Sequence, residues 1–209
     1  MNHNTTIAIV TANLIPLFGI FAGDWSVSDL ILLYWLENLV VGFYWLYKKA
    51  HGHIKAGSSV LSGIEDVGFF TLHYSIFCLV HGLFVFILFF PDLADTVDGF
   101  AVMFEEDNGL LNLPVMLWAT LNHYVTAEIL FALFFLAASH GFTSWRELSG
   151  AGPRRDGVIY ETPYPRIVFL HLFILGAGFL FMEGVLPYYL LALFVVAKTI
   201  FDLLFEKGP

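Results

Sequence analysis

Six apolar stretches, several of them about 20 residues long, are separated by short polar or glycine- and proline-bearing segments. They are apolar on every side, without the strict alternation that a membrane barrel strand requires. A run of that length and character matches a helix crossing about 30 Å of hydrocarbon, where every backbone group must be paired within the segment. The pattern predicts spans over residues 6–21, 27–47, 67–90, 119–142, 165–183 and 186–205. Residues 110–118, with Pro114, read as a short interfacial helix, and Pro163, Pro165 and Pro187 mark the starts of the last two spans. No internal repeat or linker divides the chain, so residues 1–209 read as a single helical domain.

Charge adds a direction. Lys48, Lys49 and Lys55 follow span two, and Arg146, Arg154, Arg155 and Arg166 follow span four, while the loops after spans one, three and five carry no Lys or Arg. Basic residues concentrate on the cytoplasmic side of short loops. The expected fold is therefore all-α: a polytopic integral membrane protein of the cell membrane, six transmembrane helices in a bundle, both termini cytoplasmic. Trp25, Trp45, Tyr47, Trp118, Trp145, Tyr188 and Tyr189 fall near span ends, at headgroup level. The first run has no basic leader and no small-residue cleavage site, so it reads as a retained helix.

Composition agrees. The 209 residues are 58% hydrophobic and only 13% charged, too few charges to cover a soluble domain of this size. The expected partner is the lipid bilayer, together with a membrane-protein partner or a second copy of the chain. A net charge of −9, concentrated between Asp92 and Asp107, excludes nucleic acid. That acidic stretch lacks EF-hand spacing and reads as solvated surface. The lone Cys78 permits no intrachain disulfide and reads as a small buried hydrophobe.

Candidate chemistry lies in the polar residues at membrane depth. A charged side chain costs at least ~2.5–3.5 kcal/mol at the centre of an inserted helix, so such a residue should face the bundle and meet partners there. Glu37 falls at the middle of span two, in "LLYWLENLVVGFYWLYKK", with Asn38 turned about 100° away to bond another helix. His81 and Glu128 fall at a similar depth. Glu37, Asn38, His81 and Glu128 are thus the candidate polar intramembrane site. An ionised Glu37 needs a cation or metal beside it, whereas a protonated one donates a hydrogen bond.

His73 and His171 share a depth on different helices, and His140 lies at the cytoplasmic end of span four. These three are the candidate ligands for a transition metal or haem, with Glu37 or Asp202 completing the set. His73 and His81, eight residues apart, are separated by ~12 Å along the helix and cannot hold one metal. Lys198 and Asp202 stand at i, i+4; the expectation is that Lys198 snorkels to the cytoplasm and Asp202 sits at the interface. The "HGH" at residues 51–53, beside three lysines, reads as a headgroup-facing cluster.

The segments "LLYWLENLVVGF", "HYSIFCLVHGLFVF", "SHGFTSW", "PYPRIVFLHLFILGAGF" and "AKTIFDL" together resemble an uncharacterised bacterial and archaeal membrane-protein family catalogued only as a domain of unknown function. The resemblance covers most of the chain from span two onward. It implies a multi-pass helical membrane protein and no activity, and it falls on Glu37, Asn38, His73, His81, His140, Arg166 and His171. No G-x-S-x-G elbow, H-E-x-x-H helix, clustered histidine box, Walker motif or dinucleotide fingerprint is present. Three functions fit, in this order: a metal- or haem-binding protein, a structural or assembly subunit of a membrane complex, and a proton-coupled transporter. An intramembrane hydrolase, with metal-activated water, ranks fourth.

Overall fold

The computed structural model describes residues 3–22, 25–90, 92–93, 113–150, 168–169, 171–176 and 187–207. The described residues form seven helices and no strand. They are α1 (His3–Ala22), α2 (Val27–Ala56), α3 (Val60–Phe89), α4 (Leu113–Tyr124), α5 (Ala127–Leu148), α6 (residues 171–176, with helical turns at 168–169) and α7 (Pro187–Lys207). The acidic stretch from Asp95 to Asp107, Pro163, Pro165, the arginines Arg154, Arg155 and Arg166, and Gly178 lie outside the described residues.

Local chemistry sets the helix ends. Ser26 caps α2: its Oγ accepts the Asp29 backbone N–H at 3.2 Å, and the Asp29 carboxylate accepts the Ser26 N–H at 2.8 Å. The helix ends at Gly57, whose φ of 62° is the left-handed conformation that glycine adopts without a Cβ penalty. Ser59 then caps α3 by accepting the Ser62 N–H at 3.2 Å. Only residues 57–59 separate the two helices, so α2 and α3 run antiparallel, and Ser28 Oγ near the start of α2 donates to the Phe89 carbonyl at the end of α3 (2.6 Å).

Three elements differ from the sequence expectation, of which one is α3, starting at Val60 and not at residue 67. The basic segment after residue 47 is helical rather than a loop. Lys48 pairs with Glu147 at the end of α5 (2.7 Å), and His53 with Asp66 near the start of α3 (3.2 Å). Polar helix formers extend a spanning helix into water at no backbone cost, and hydrophobicity alone does not mark where such a helix stops. The stretch read as one span over 119–142 is two helices. Thr126 accepts the Ile129 N–H at 3.4 Å and starts α5 there, so α5 continues to Leu148. The short helix before the break is α4, Leu113–Tyr124, longer than the expected interfacial segment.

The central helix is α2. Every residue from Leu30 to Asn38 is buried, so this stretch of α2 is surrounded on all sides. It packs on α3, α5 and α7, while α1 packs on α5 and α7. The α2–α3 seam depends on glycine: a Cβ on Gly82 would lie 2.6 Å from the Trp35 ring, whose Nε1 donates to the Cys78 carbonyl at 2.9 Å.

The outside of the bundle is as apolar as its inside. On α3, Phe70, Tyr74, Cys78, Val85 and Phe89 face inward, while Phe69, Leu72, Ile76, Val80, Phe84 and Ile87 form an exposed stripe at three- and four-residue steps. Phe69 and Phe134 are 69% and 66% exposed, whereas Glu37, Lys198 and Asp202 are buried. A soluble monomer rarely exposes so large a contiguous apolar surface. Among the described residues, three helices, α2, α3 and α5, are long and apolar enough to cross a membrane.

Candidate functional site: a buried charge cluster

Glu37 sits in the wholly buried stretch of α2, with 1% of its surface exposed. Its carboxylate meets two cationic or proton-bearing groups. His140 Nε2, from α5, lies 2.7 Å from Oε1, and Lys198 Nζ, from α7, lies 3.0 Å from Oε2 and 3.2 Å from Oε1. Lys198 also donates to Asp202 Oδ2 one turn on (2.7 Å) and to Asn13 Oδ1 of α1 (2.9 Å). An ammonium has three N–H groups, and these three acceptors engage all of them. Asn13 in turn donates from Nδ2 to Asp202 Oδ2 at 3.3 Å. The Tyr34 ring lies 4.8 Å from the ammonium and adds a cation–π contact.

Four helices thus meet through charged and amide groups in an otherwise apolar bundle. Among the described residues, two carboxylates, Glu37 and Asp202, face the Lys198 ammonium, and the His140 imidazole lies beside Glu37. The imidazole of His140 is 24% exposed, while the Glu37 side chain is 1% exposed. It is the half-open end of a hydrogen-bonded series running His140, Glu37, Lys198, Asp202. A small cavity adjoins the series, lined by Glu37, Asn38, Lys198 and Asp202 together with Tyr34, Phe169 and Phe201. It offers the centre of a water molecule about 10 Å³, at the lower limit for holding one, and it has polar groups to receive it.

Lys198, at 4% exposure, does not snorkel, because Asn13 and two carboxylates meet it in the core. Asp202 is buried with it rather than at the interface.

A second pair lies on the α3 side. His81 Nδ1 is 3.1 Å from His171 Nδ1, with ring centroids 4.8 Å apart. Phe77 contacts both rings, at 5.9 Å and 5.8 Å.

The other predicted residues fall elsewhere. Asn38 is buried and lines the cavity, and its backbone carbonyl accepts the Tyr74 hydroxyl at 2.7 Å. Glu128 is in the first turn of α5 and exposed, because α5 begins only one residue before it. His73 is exposed on α3, stacked on Phe69 at 5.7 Å. The structure therefore joins His140 to Glu37, and His171 to His81. Among the described residues, no group of three or more His, Cys, Asp or Glu is placed to hold a metal ion.

Asn13 and Tyr34 belong to the site and were not singled out from sequence. For Asn13 a signal exists: it is an amide inside the apolar run "IVTANLIPLF".

The fold and the cluster define a helical bundle of membrane type with an ionic core. The chain belongs to the family of unknown function DUF6498, whose model matches residues 2–207. Comparison with curated proteins and with solved structures finds no significant match.

Proposed function

We propose that this protein is a multi-pass integral membrane protein, crossing the cell membrane six times with both termini in the cytoplasm, in which Glu37 takes up and releases a proton during a proton-coupled transport function. The observation that carries this reading is the buried Glu37 carboxylate bridging a half-open imidazole at 2.7 Å and a buried ammonium at 3.0 Å. Intramembrane ionisable groups are costly and mark ion and proton pathways. Histidine is the side chain whose ordinary titration lies nearest neutral pH, so His140 is suited to pass a proton between water and Glu37.

The test is proton flux. The purified chain in liposomes holding a pH-sensitive dye should dissipate an imposed pH gradient faster than empty liposomes do, and Glu37→Gln should abolish the difference. Equal rates for the protein and for empty liposomes would contradict the proposal. Orientation is tested separately with Gly52→Cys, since Cys78 is buried. Labelling of residue 52 by an impermeant thiol reagent from outside intact cells would overturn cytoplasmic termini.

A second reading is favoured by one observation: all three Lys198 donors are engaged, as in a lock that fixes helix positions. On that reading the chain is a structural subunit. Glu37→Gln would then loosen the bundle, and the unaltered protein would show no flux.

A further inference from the structure

The His81–His171 pair stands apart from the charge cluster and from any role assigned above. Its surroundings are unusual for buried imidazoles. His81 is 2% exposed, and its Nδ1 lies 3.1 Å from His171 Nδ1. His81 Nε2 is buried and has no hydrogen-bond partner among the described residues. Phe77 packs against both rings and Phe84 lies 6.3 Å from His171. Leaving a buried polar nitrogen unmatched costs about 1–3 kcal/mol. Packing alone would be better served by leucine or phenylalanine at residue 81.

We propose that His81 and His171 form a two-coordinate site for a soft monovalent metal ion, copper(I) above all. Donor number, donor type and charge each narrow the choice. Two nitrogens aimed at one another suit a linear, two-coordinate ion; zinc takes four ligands in a structural site, and hard cations such as magnesium and calcium take six or more oxygens. Imidazole nitrogen is a good donor for copper. Among the described residues no carboxylate is placed beside the pair, and a single positive charge in an apolar setting is less costly to bury than a double one.

The geometry is close to what such an ion needs. Metal–imidazole bonds are about 2 Å, so a linear arrangement asks for about 4 Å between the nitrogens. The rings therefore separate by roughly 1 Å, within the reach of small side-chain rotations. Protons balance. The ring that now donates through Nδ1 moves that proton to its own Nε2, the other ring already carries one there, and the two freed Nδ1 lone pairs bind the metal with no net proton release.

The experiment uses the full chain in detergent. Copper(I) is titrated anaerobically against a colorimetric copper(I) chelator, and silver(I), which does not change oxidation state, is titrated by calorimetry. One equivalent should bind, and His171→Leu and His81→Leu should each weaken it at least 100-fold. His140→Ala and Cys78→Ser should leave it unchanged. X-ray absorption of the copper-loaded, unaltered protein guards against variants that fold poorly: it should show two nitrogen neighbours and no sulfur. Absence of a stoichiometric site, a sulfur neighbour, or binding that survives in both histidine variants, as an adventitious ion would, overturns the proposal.

Discussion

The two faces of α2 are held by different chemistry. Towards α3, the buried contacts are neutral and depend on shape; the pairs of Lys49 and His53 with Asp66 lie at the more exposed end of the hairpin. Trp35 lies over Gly82 and donates to the Cys78 carbonyl, and Tyr74 lies over Gly42 and donates to the Asn38 carbonyl. Towards α1, α5 and α7, the contacts are ionic: Glu37, His140, Lys198, Asp202 and Asn13. Lipid tails are as apolar as the helix surfaces, so hydrophobic burial alone does not choose which helices meet. Close approach at glycine and pairing of polar groups do. The difference is that the α3 seam has one state, whereas the ionic seam holds groups whose charge can change. A proton-exchanging function, if the bundle has one, belongs to the second face.

Substitutions on each face sharpen this contrast. The largest loss is expected for Lys198→Met. It leaves the Glu37 and Asp202 carboxylates buried without their shared cation, a change that costs about 3–5 kcal/mol when one partner of a buried pair is removed. Thermal unfolding in detergent would report it, and a stability within 1 kcal/mol of the unaltered protein, on the order of a tenfold change in equilibrium at most, would contradict the ionic core.

Next, Gly82→Val should cost about 1–3 kcal/mol by overpacking against Trp35. It should loosen the α2–α3 hairpin without altering proton flux. Loss of flux together with stability would erase the division between the two faces.

Glu37→Gln should cost less than Lys198→Met, because Lys198 keeps Asp202 and Asn13; about 1.5–3 kcal/mol is the scale for a hydrogen bond to a charged group. The double variant should lose less than the sum of the singles, with a coupling of about 0.5–3 kcal/mol. Strict additivity would mean that the two groups do not interact.

Trp35→Phe removes the indole N–H bonded to the Cys78 carbonyl and should cost about 0.5–1.5 kcal/mol. The smallest effect is expected on the exposed stripe. Phe134→Leu should stay within about 0.5 kcal/mol.

Much of this contrast was readable from the chain. Helical class, the central position of Glu37 in α2 and the need for it to meet partners all follow from an apolar run interrupted by a carboxylate. The partners were harder to read, for a reason visible at Thr126. A break hidden in a continuous apolar stretch moves the middle of that helix to between Ala137 and Ala138, the midpoint of Ala127–Leu148. His140 therefore lies within a turn of the helix centre rather than at its end, and Glu128 lies at the start. Lys198 was misread because its depth depends on Asn13, an acceptor on the first helix, which spacing along α7 does not reveal. The pairing of His171 with His81, rather than with His73, depends on the relative depth of α3 and α6 as well as on helix rotation, since the two histidines of α3 lie ~12 Å apart along it. Both faces of α3 are apolar, so its sequence pattern carries little information about that rotation.

The most direct test of the central claim is pH-dependent infrared difference spectroscopy of the membrane-reconstituted protein. If Glu37 exchanges a proton, acidification should produce a protonated-carboxyl stretching band that is missing in Glu37→Gln and unchanged in Glu128→Gln. A spectrum with no Glu37-dependent carboxyl band at any pH at which the bundle stays folded would contradict it, and would assign the cluster to holding helices together.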